Sequence, residues 1–252
     1  MAGTKTPRKP EGRASAARTG LLPVCVLAGG LGTRLGELTR TIPKPLVPVA
    51  GEPFVFHQMR LLSDSGAQRV VLCVGYLGEQ IESRVGHSCF GMQVAYSYDS
   101  PALDGTLGAI RRALPLLDDR FLIIYGDTYL PIDYQDVQRK WLASGLPAMM
   151  TVLRNDNRWG PSNASFRDGK VLAHDKGEPS AEMAWIDYGL GGLSVELVSA
   201  APADERDLSW LYGELARRGE LYGYEALNRF HEIGSPEALA ETSRYLASRN
   251  PR

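Results

Sequence analysis

The chain has 252 residues, of which 44% are hydrophobic and 23% charged, and its formal net charge is −1. These values are typical of a soluble globular protein, and the near-zero charge gives no indication of a nucleic-acid partner or a membrane surface. Its apolar runs are shorter than the roughly 18 residues of a membrane-spanning helix, so we expect no membrane partner.

The beginning of the chain and the cysteines indicate a location. Residues 1–20 are rich in Lys, Arg, Pro, Ala and Gly and lack the apolar core of a secretory signal. We interpret them as a disordered basic tail or an expression remnant, with a basic anchoring role as the alternative.

Cys25, Cys73 and Cys89 are odd in number and widely spaced, which predicts reduced thiols and a cytoplasmic protein.

Strands and helices alternate along the first 150 residues. Apolar runs predict strands, and apolar residues at helical spacing predict helices. The predicted strands are 22–27, 69–75, 92–98, 121–125 and 148–153, and the predicted helices are 53–66, 78–86, 106–117 and 133–144. This alternation predicts a mostly parallel sheet with helices on both faces, which binds ligands at the carboxyl ends of its strands.

The pattern changes at residue 154. An Asp-Gly turn predicts a hairpin over residues 166–171. The remaining predictions are strands at 185–195, 221–226 and 229–233 and helices at 207–218 and 235–248. We expect these strands to join the same sheet, so residues 21–252 form one domain with halves 21–153 and 154–252.

A glycine-rich turn follows the first predicted strand. Gly29, Gly30 and Gly32 allow a tight turn whose N–H groups can approach a bound group. Arg34 follows directly, and Lys44 lies between two prolines that are expected to hold it on an extended segment. An Arg fork and a Lys charge beside free N–H groups form a receptor for phosphate oxygens. The segment therefore predicts a nucleoside-triphosphate site.

Two common phosphate loops do not fit this turn. The P-loop string Gly-Lys-Ser/Thr is absent, and the dinucleotide fingerprint needs a glycine where Leu35 stands, which disfavours a nicotinamide dehydrogenase. A tight strand-to-helix turn with a surface arginine is the alternative. That alternative does not account for Lys44.

The stretch GGLGTRLGELTRTIPKPLVPVAGEP, residues 29–53, resembles the signature of the sugar-1-phosphate nucleotidyltransferases. Within this family it is closest to the heptose- and mannose-1-phosphate guanylyltransferases and the N-acetylmuramate-1-phosphate uridylyltransferases. The matching positions are Gly29, Gly30, Gly32, Thr33, Arg34, Leu35, Thr39, Pro43, Lys44, Pro45, Leu46, Pro48, Val49 and Pro53. The resemblance implies a Rossmann-like three-layer α/β sandwich of the nucleotide-diphospho-sugar transferase type, with a mostly parallel mixed central sheet. It extends to the last predicted helix and is thinner after residue 163.

The reaction that the resemblance implies joins two anions. A phosphate oxygen of a sugar-1-phosphate attacks the α-phosphorus of an NTP, and pyrophosphate leaves. The catalyst must cancel charge and align the phosphates, and it needs no covalent nucleophile. We therefore predict that Arg34 contacts the NTP phosphates, that Lys44 bridges phosphates near the reaction centre, and that carboxylates hold Mg²⁺.

Two acidic residues are the candidate Mg²⁺ ligands. Asp127 ends the run FLIIYGD, where Gly126 is expected to leave room for a ligand, and the family has a metal-binding Asp in this Gly-Asp pair. The alternative is a turn-forming Asp. Glu232 in FHEIGSPEAL stands where the family has its second metal-binding Asp, and a solvated surface Glu is the alternative.

The resemblance also implies a nucleotide pocket. The segment 104–109, DGTLGA, is similar to the family's Leu-Gly-Thr-x-Gly-Ala, whose backbone lines the base pocket, but it has Asp104 in place of Leu. A plain helix N-terminus capped by Asp104 is the alternative. The predicted nucleotide-binding residues are Leu27, Ala28, Gly29, Gly30, Gly32, Thr33, Gly105 and Thr106.

The second half is expected to bind the sugar phosphate. Asp175 and Lys176 resemble the family's acidic-Lys pair, with Lys176 on the sugar phosphate and Asp175 on sugar hydroxyls. Asp187 and Gly189, in WIDYGL, stand where the family contacts sugar hydroxyls. Exposed charges in a hairpin are the alternative.

We therefore predict a Mg²⁺-dependent nucleotidyltransferase that makes a nucleotide sugar from an NTP, with GTP as the first candidate, and a hexose- or heptose-1-phosphate. The alternative is a catalytically weak module that binds nucleotide sugars and regulates another protein, a hypothesis motivated by Glu232 and the thinner second half. The sequence leaves the oligomeric state open, with a homo-oligomer among the options.

Overall fold

The computed structural model describes residues 20–100 and 104–249. All but the last residue of the predicted basic tail lies outside the described residues. The strands are β1 (Val24–Leu27), β2 (Pro48–Val49), β3 (Glu52–Pro53), β4 (Arg69–Val74), β5 (Ser88–Cys89), β6 (Met92–Tyr98), β7 (Arg120–Tyr125), β8 (Thr128–Tyr129), β9 (Ala148–Arg154), β10 (Ala164–Arg167), β11 (Lys170–His174), β12 (Trp185–Ser194), β13 (Leu221–Ala226) and β14 (His231–Glu232).

Helices connect most of these strands. They are α1 (Phe54–Asp64), α2 (Gly78–Val85), α3 (Gly105–Ala113), α4 (Tyr134–Ser144), α5 (Val195–Ala200), α6 (Leu208–Arg217) and α7 (Pro236–Arg249). Short 3₁₀ helices cover Thr33–Thr39, Lys44–Leu46 and Leu114–Leu116. In the part of the chain that the structure describes, every helix is too short or too polar to cross a lipid bilayer.

A ten-stranded mixed sheet forms the centre of the molecule, in the order β10-β11-β13-β9-β12-β7-β1-β4-β6-β5. Strands β7, β1, β4 and β6 pair in parallel, as the alternation of the first half predicts. Strand β12 is antiparallel to both of its neighbours, β7 and β9. The second half therefore adds its strands to the same sheet, but largely in antiparallel pairs.

Helices cover both faces of this sheet. Alternate residues of β1 enter opposite core clusters, with Val24 and Val26 on one face and Cys25 on the other. The first cluster includes apolar residues of α1, α2 and α4, and the second includes those of α3, α5 and α6. Strands buried on both faces need apolar side chains throughout, which explains the uninterrupted apolar runs in the sequence.

Most predicted elements are confirmed, and the differences are local. The Asp-Gly hairpin forms between β10 and β11, with both turn residues at positive φ. Helix α5 follows β12 directly and was not predicted; Ser194 caps it by accepting a hydrogen bond from the Leu197 amide. The prediction of an extended segment at Lys44 is wrong, because Lys44 begins a 3₁₀ turn closed by a 2.8 Å bond from the Leu46 amide to the Pro43 carbonyl. Proline is tolerated early in such a turn because the first helical N–H groups have no internal acceptor.

Two small two-stranded sheets accompany the central one: β2 pairs with β3, and a second pair lies next to β7. Strand β14 pairs antiparallel with β8, so that Glu232 lies opposite Thr128. The Ile233 amide also donates a 3.0 Å hydrogen bond to the Asp127 carbonyl. This pairing brings the end of the chain to the carboxyl end of the central strand β7.

Candidate active site

Two adjacent cavities lie at the carboxyl ends of the parallel strands. The first has a volume of about 320 Å³ and the second about 280 Å³, and both are lined by Tyr125 and Asp127. The first cavity is lined by Leu27, Ala28, Gly29, Gly30, Gly32, Lys44, Pro45, Cys73, Asp99, Gly105, Thr106, Ala109, Tyr125, Gly126 and Asp127. The second is lined by Tyr125, Asp127, Thr128, Trp159, Asn163, Lys176, Ile186, Asp187, Tyr188, Gly189, Phe230 and Glu232.

The glycine turn forms the wall of the first cavity. Gly32 has φ 67°, and a Cβ there would lie 2.9 Å from Thr39 Cγ2. The Thr39 hydroxyl donates a 2.9 Å hydrogen bond to the Gly32 carbonyl and holds the turn closed. Glycine is required at this position both by the left-handed backbone and by the close side chain.

Gly126 lines the first cavity and also allows a close approach of two backbone segments. A Cβ at this position would lie 2.9 Å from the Leu27 carbonyl oxygen and 3.0 Å from Ala28 Cα. The Gly126 amide also donates to that carbonyl at 2.8 Å. The backbone after β1 therefore occupies the place that a side chain at residue 126 would take. This close packing brings the glycine turn next to Asp127.

Lys44 and Asp127 meet at the boundary between the cavities. Lys44 Nζ lies 2.5 Å from Asp127 Oδ2, and the two side chains are 12% and 29% exposed. Thr128 Oγ1 donates to the other carboxylate oxygen at 3.1 Å. The predicted catalytic lysine and the predicted metal ligand are thus in direct contact.

Glu232 and Arg34 approach the same place. A Cβ at Gly234 would lie 3.1 Å from both Arg34 Nη2 and Glu232 Oε2, so the two side chains flank the same point. Burial and the neighbouring Asp127 carboxylate raise the pKa of Glu232, and this effect exceeds the opposing influence of Arg34 and Lys44. Two carboxylates and two cations therefore share one partly desolvated region.

The chemistry of these donors fits Mg²⁺. Within residues 20–100 and 104–249, no cluster of three or more His, Cys, Asp or Glu side chains could hold a metal. The pair Asp127 and Glu232 remains, and the Asp127 carboxylate helps to raise the pKa of Glu232. Mg²⁺ is commonly bound by one or two carboxylates together with substrate phosphate oxygens, so a pair of this kind suits it.

Lys176 and Asp187 form the polar centre of the second cavity. Lys176 Nζ lies 2.8 Å from Asp187 Oδ2 and donates a 3.1 Å hydrogen bond to the Tyr125 hydroxyl. Burial raises the pKa of Asp187, but Lys176 and His174 outweigh this effect, and the pKa falls below its usual value. Burial and Asp187 raise the pKa of Tyr125 to about 12, which keeps its hydroxyl protonated. Gly189 closes the group, because its amide donates to Asp187 Oδ1 at 2.9 Å.

Other predicted residues lie apart from the cavities. Asp175 is exposed, and its carboxylate accepts hydrogen bonds from the Gly177 and Glu178 amides in a turn. Thr33 and Arg34 are exposed on the 3₁₀ helix, and neither of them lines a cavity.

Segment 104–109 does form a helix N-terminus, but Asp104 does not cap it through its side chain. The Asp104 carboxylate instead accepts hydrogen bonds from Ser100 and Arg112.

Several lining residues were not among the predicted site residues. Asp99, Tyr125, Trp159 and Asn163 all line a cavity. Asp99 directly follows β6 and Tyr125 ends β7, so a search for polar residues at the carboxyl ends of predicted strands would have found both. Trp159 and Asn163 lie in a polar loop, where the sequence pattern carries no such signal.

Solved structures define the class of fold. HddC from Yersinia pseudotuberculosis, solved in complex with GMP-PN, is similar with a TM-score of 0.73 and 27% identity, covering 90% of this chain and all of that chain. UDP-glucose pyrophosphorylase complexed with UDP-glucose has a TM-score of 0.75 at 16% identity, covering 91% of this chain and all of that chain. The predicted nucleotide-diphospho-sugar transferase fold is confirmed.

Sequence comparison gives the family. Residues 24–159 match the family model described as nucleotidyl transferase. The D-glycero-α-D-manno-heptose 1-phosphate guanylyltransferase of Aneurinibacillus thermoaerophilus is 26% identical over 230 residues, covering 88% of this chain and 96% of its own length. The chain belongs to the nucleotidyl transferase family, and the resemblance to the sugar-1-phosphate nucleotidyltransferases is confirmed.

Proposed function

We propose that this chain makes a nucleotide sugar and pyrophosphate from GTP and a sugar-1-phosphate, in a Mg²⁺-dependent reaction. One observation carries the proposal: Lys44, Asp127 and Glu232 line the place where two cavities adjoin, and the exposed Arg34 flanks the same glycine, Gly234, as Glu232. A reaction between two anions needs this concentration of cations and metal-binding carboxylates at the point where the two substrates touch.

The cavities suit different substrates. The first is bounded by the glycine turn and by Gly105 and Thr106 at the start of α3, which suits a nucleotide. The second contains Lys176, Asp187 and Asn163, which together offer a cation for a phosphate and several hydrogen-bonding groups for sugar hydroxyls. The shared Asp127 then lies between the α-phosphate and the sugar phosphate.

The residues of the site lower the cost of bringing the phosphates together. Lys44 is held by Asp127 at the boundary, where its ammonium can contact an oxygen of the α-phosphate as charge develops. Arg34 reaches the same region from the exposed 3₁₀ helix and can place its guanidinium fork on the departing pyrophosphate. The attacking phosphate oxygen is already ionised at neutral pH, so the site needs no general base.

Asp127 and Glu232 would hold the magnesium ion. When bound, Mg²⁺ supplies positive charge to phosphate oxygens of both substrates and favours their in-line alignment. Glu232 has one methylene more than the Asp of the family signature, and the β8–β14 pairing places its backbone directly opposite Thr128. This pairing argues against the alternative of a solvated surface residue.

Relatives support GTP and a heptose- or mannose-type sugar. The HddC structure contains GMP-PN, and the Aneurinibacillus relative is named as a heptose 1-phosphate guanylyltransferase. The catalytic subunit beta of Danio rerio mannose-1-phosphate guanylyltransferase is 34% identical over 232 residues, covering 88% of this chain and 64% of its own length.

A matrix of four NTPs against a panel of sugar-1-phosphates, with pyrophosphate release as the readout, tests the proposal. We expect turnover with GTP and one heptose- or mannose-1-phosphate, strict dependence on added Mg²⁺, and loss of turnover in Asp127→Asn. Asp118→Asn, which removes the same charge at the opposite end of the sheet, is the matched control and should retain turnover. Stabilisation by nucleotide sugars without product in any pair would instead identify a binding module.

A further inference from the structure

The first cavity contains a charged side chain that the proposed reaction does not use. The charged residues of its lining are Lys44, Asp99 and Asp127, and Lys44 and Asp127 are paired with each other. Among the described residues Asp99 has no salt-bridge partner, and its Oδ1 atom is buried without a hydrogen bond. A carboxylate in this state is costly unless a ligand supplies hydrogen-bond donors.

Asp99 does not share a strand end with Asp127. It directly follows β6, whereas Asp127 follows β7, and β1 and β4 lie between these strands. Three steps between neighbouring strands, each about 4.8 Å, put the two strand ends about 14 Å apart. The Asp99 side chain therefore enters the cavity from the β6 side, whereas Asp127 lies on the β7 side.

The side chain of Asp99 bends back over the glycine turn. A Cβ at Gly29 would lie 2.5 Å from Asp99 Oδ2, and a Cβ at Gly75 would lie 3.1 Å from the same atom. The absence of side chains at both glycines therefore makes room for the carboxylate inside the cavity. Burial and the nearby Asp104 raise the pKa of Asp99, so a ligand with N–H donors would favour its ionised form.

A carboxylate in an otherwise largely apolar pocket constrains the ligand. It repels phosphates, so this end of the cavity suits the uncharged base. An ionised carboxylate only accepts hydrogen bonds, and it has two oxygens side by side. Guanine presents two adjacent donors, N1–H and the 2-amino group. Uracil and thymine present one N–H between two carbonyls, and adenine and cytosine place an acceptor nitrogen beside the amino group.

We propose that Asp99 selects guanine by accepting hydrogen bonds from its N1–H and its 2-amino group. The assignment rests on the proposed function, because it names the base of the same nucleotide substrate. Asp99 would then determine base specificity from outside the glycine-rich signature. The family resemblance, in contrast, implied only backbone contacts to the base, from segment 104–109.

Asp99→Asn combined with base analogues tests this contact. The asparagine offers one acceptor and one donor, which match the N1–H and 2-oxo groups of xanthine. We expect the variant to lose about tenfold to a hundredfold in kcat/KM with GTP, the range for a hydrogen bond to a charged group, and to gain activity with XTP. In the wild type, ITP lacks the 2-amino group and should show a loss of the same order. Asp118→Asn should retain the wild-type preference for GTP over ITP and XTP.

Binding of the same nucleotides without sugar phosphate, measured by calorimetry, separates this inference from the proposed function. If wild-type enzyme turns over but accepts GTP, ITP and UTP equally, the role of Asp99 is refuted and the reaction stands. If no pair of substrates yields pyrophosphate but binding shifts from GTP to XTP in Asp99→Asn, the role of Asp99 stands and the reaction is refuted. Should the variant fail to fold, the wild-type comparison of GTP with ITP tests the same contact from the ligand side, and equal binding refutes it.

Discussion

Replacing Lys176 by Met removes the cation from the partly buried ion pair of the second cavity. The side chain of Asp187 is only 5% exposed, and Lys176 Nζ lies 2.8 Å from its carboxylate. Methionine has a similar length without the charge, so the variant leaves a buried carboxylate beside the Tyr125 hydroxyl. We expect the folded state to lose stability even in the absence of any substrate.

The expected loss in the free energy of unfolding of Lys176→Met lies between two limits. Removing one partner of a fully buried pair costs about 3–5 kcal/mol, whereas exposed pairs contribute about 0.2–1 kcal/mol. The Lys176 side chain is 38% exposed, so solvent screens part of the interaction. We therefore expect the free energy of unfolding to fall by about 2 kcal/mol, which corresponds to a Tm lower by about 4–8 °C for a chain of this size.

Urea unfolding of the wild type, Lys176→Met, Asp187→Asn and the double variant measures the interaction directly. In the double variant residue 187 is an uncharged asparagine, so no buried charge is left without a partner. The double variant should therefore be about 1–2 kcal/mol more stable than the sum of the two single losses predicts. The matched control is Lys140→Met, because Lys140 pairs with Asp136 at 2.9 Å on the surface of α4 with 48% of its side chain exposed. That change should cost less than about 0.5 kcal/mol.

The dependence on pH gives a second check. In the wild type the pKa of Asp187 is lowered on folding, so the ionised pair stabilises the fold above the unfolded pKa of Asp187, and this contribution is lost as pH falls through the folded pKa. In Lys176→Met, burial instead raises the pKa of Asp187, and protonation relieves the cost. The deficit of the variant should therefore shrink between about pH 7 and about pH 4.5. A constant deficit over that range, or strictly additive losses in the double variant, would refute the reasoning.

Three further predictions follow from the geometry. Glu232→Ala should lower turnover and raise the Mg²⁺ concentration needed for half-maximal activity, while Glu232→Asp should retain or raise turnover; an unaffected Ala variant would remove Glu232 from the metal site. Because burial and the neighbouring Asp127 raise the pKa of Glu232, protons should compete with Mg²⁺ for this carboxylate, so the Mg²⁺ concentration needed for half-maximal activity should rise as pH falls, and less steeply in the Ala variant. Gly126→Ala should lower the free energy of unfolding in urea by about 1–3 kcal/mol, whereas Gly30→Ala, whose Cβ would meet nothing within 4 Å, should change it by less than about 0.5 kcal/mol. Equal effects of the two glycine variants would contradict the packing role of Gly126.

Sequence reasoning succeeds where one local pattern determines the structure. The apolar runs of β1, β4 and β7 are strands buried on both faces, whereas β6, predicted from its alternation, has buried and exposed residues along its length. Parallel strands end at a common edge, so polar residues that follow them meet there. Asp127 was assigned to the site by this rule together with the family resemblance, and the structure places it in contact with Lys44.

Predictions fail where the outcome depends on distant partners. The order of the strands was not predicted, and β12 lies between β7 and β9 although it follows both in the chain. Gly192 shows the constraint: a Cβ there would lie 2.6 Å from the Trp141 ring, so α4 packs directly onto the backbone of β12. The local pattern around Gly192 contains no information about Trp141, which lies about fifty residues earlier in the chain.

The two metal-binding candidates illustrate why half of this site cannot be derived from local signals. Asp127 ends a strand of the main sheet, where any parallel α/β protein places ligand-binding residues. Glu232 lies in a two-residue strand, and only the family resemblance of the segment FHEIGSPEAL connected it to the metal site. Its position depends on the β8–β14 hydrogen bonds and on Thr242 of α7, whose hydroxyl donates a 2.6 Å hydrogen bond to the Glu232 carbonyl. The packing of α7 therefore determines where the Glu232 carboxylate lies. A change that loosens α7 should raise the Mg²⁺ concentration needed for activity, while the glycine turn keeps its structure.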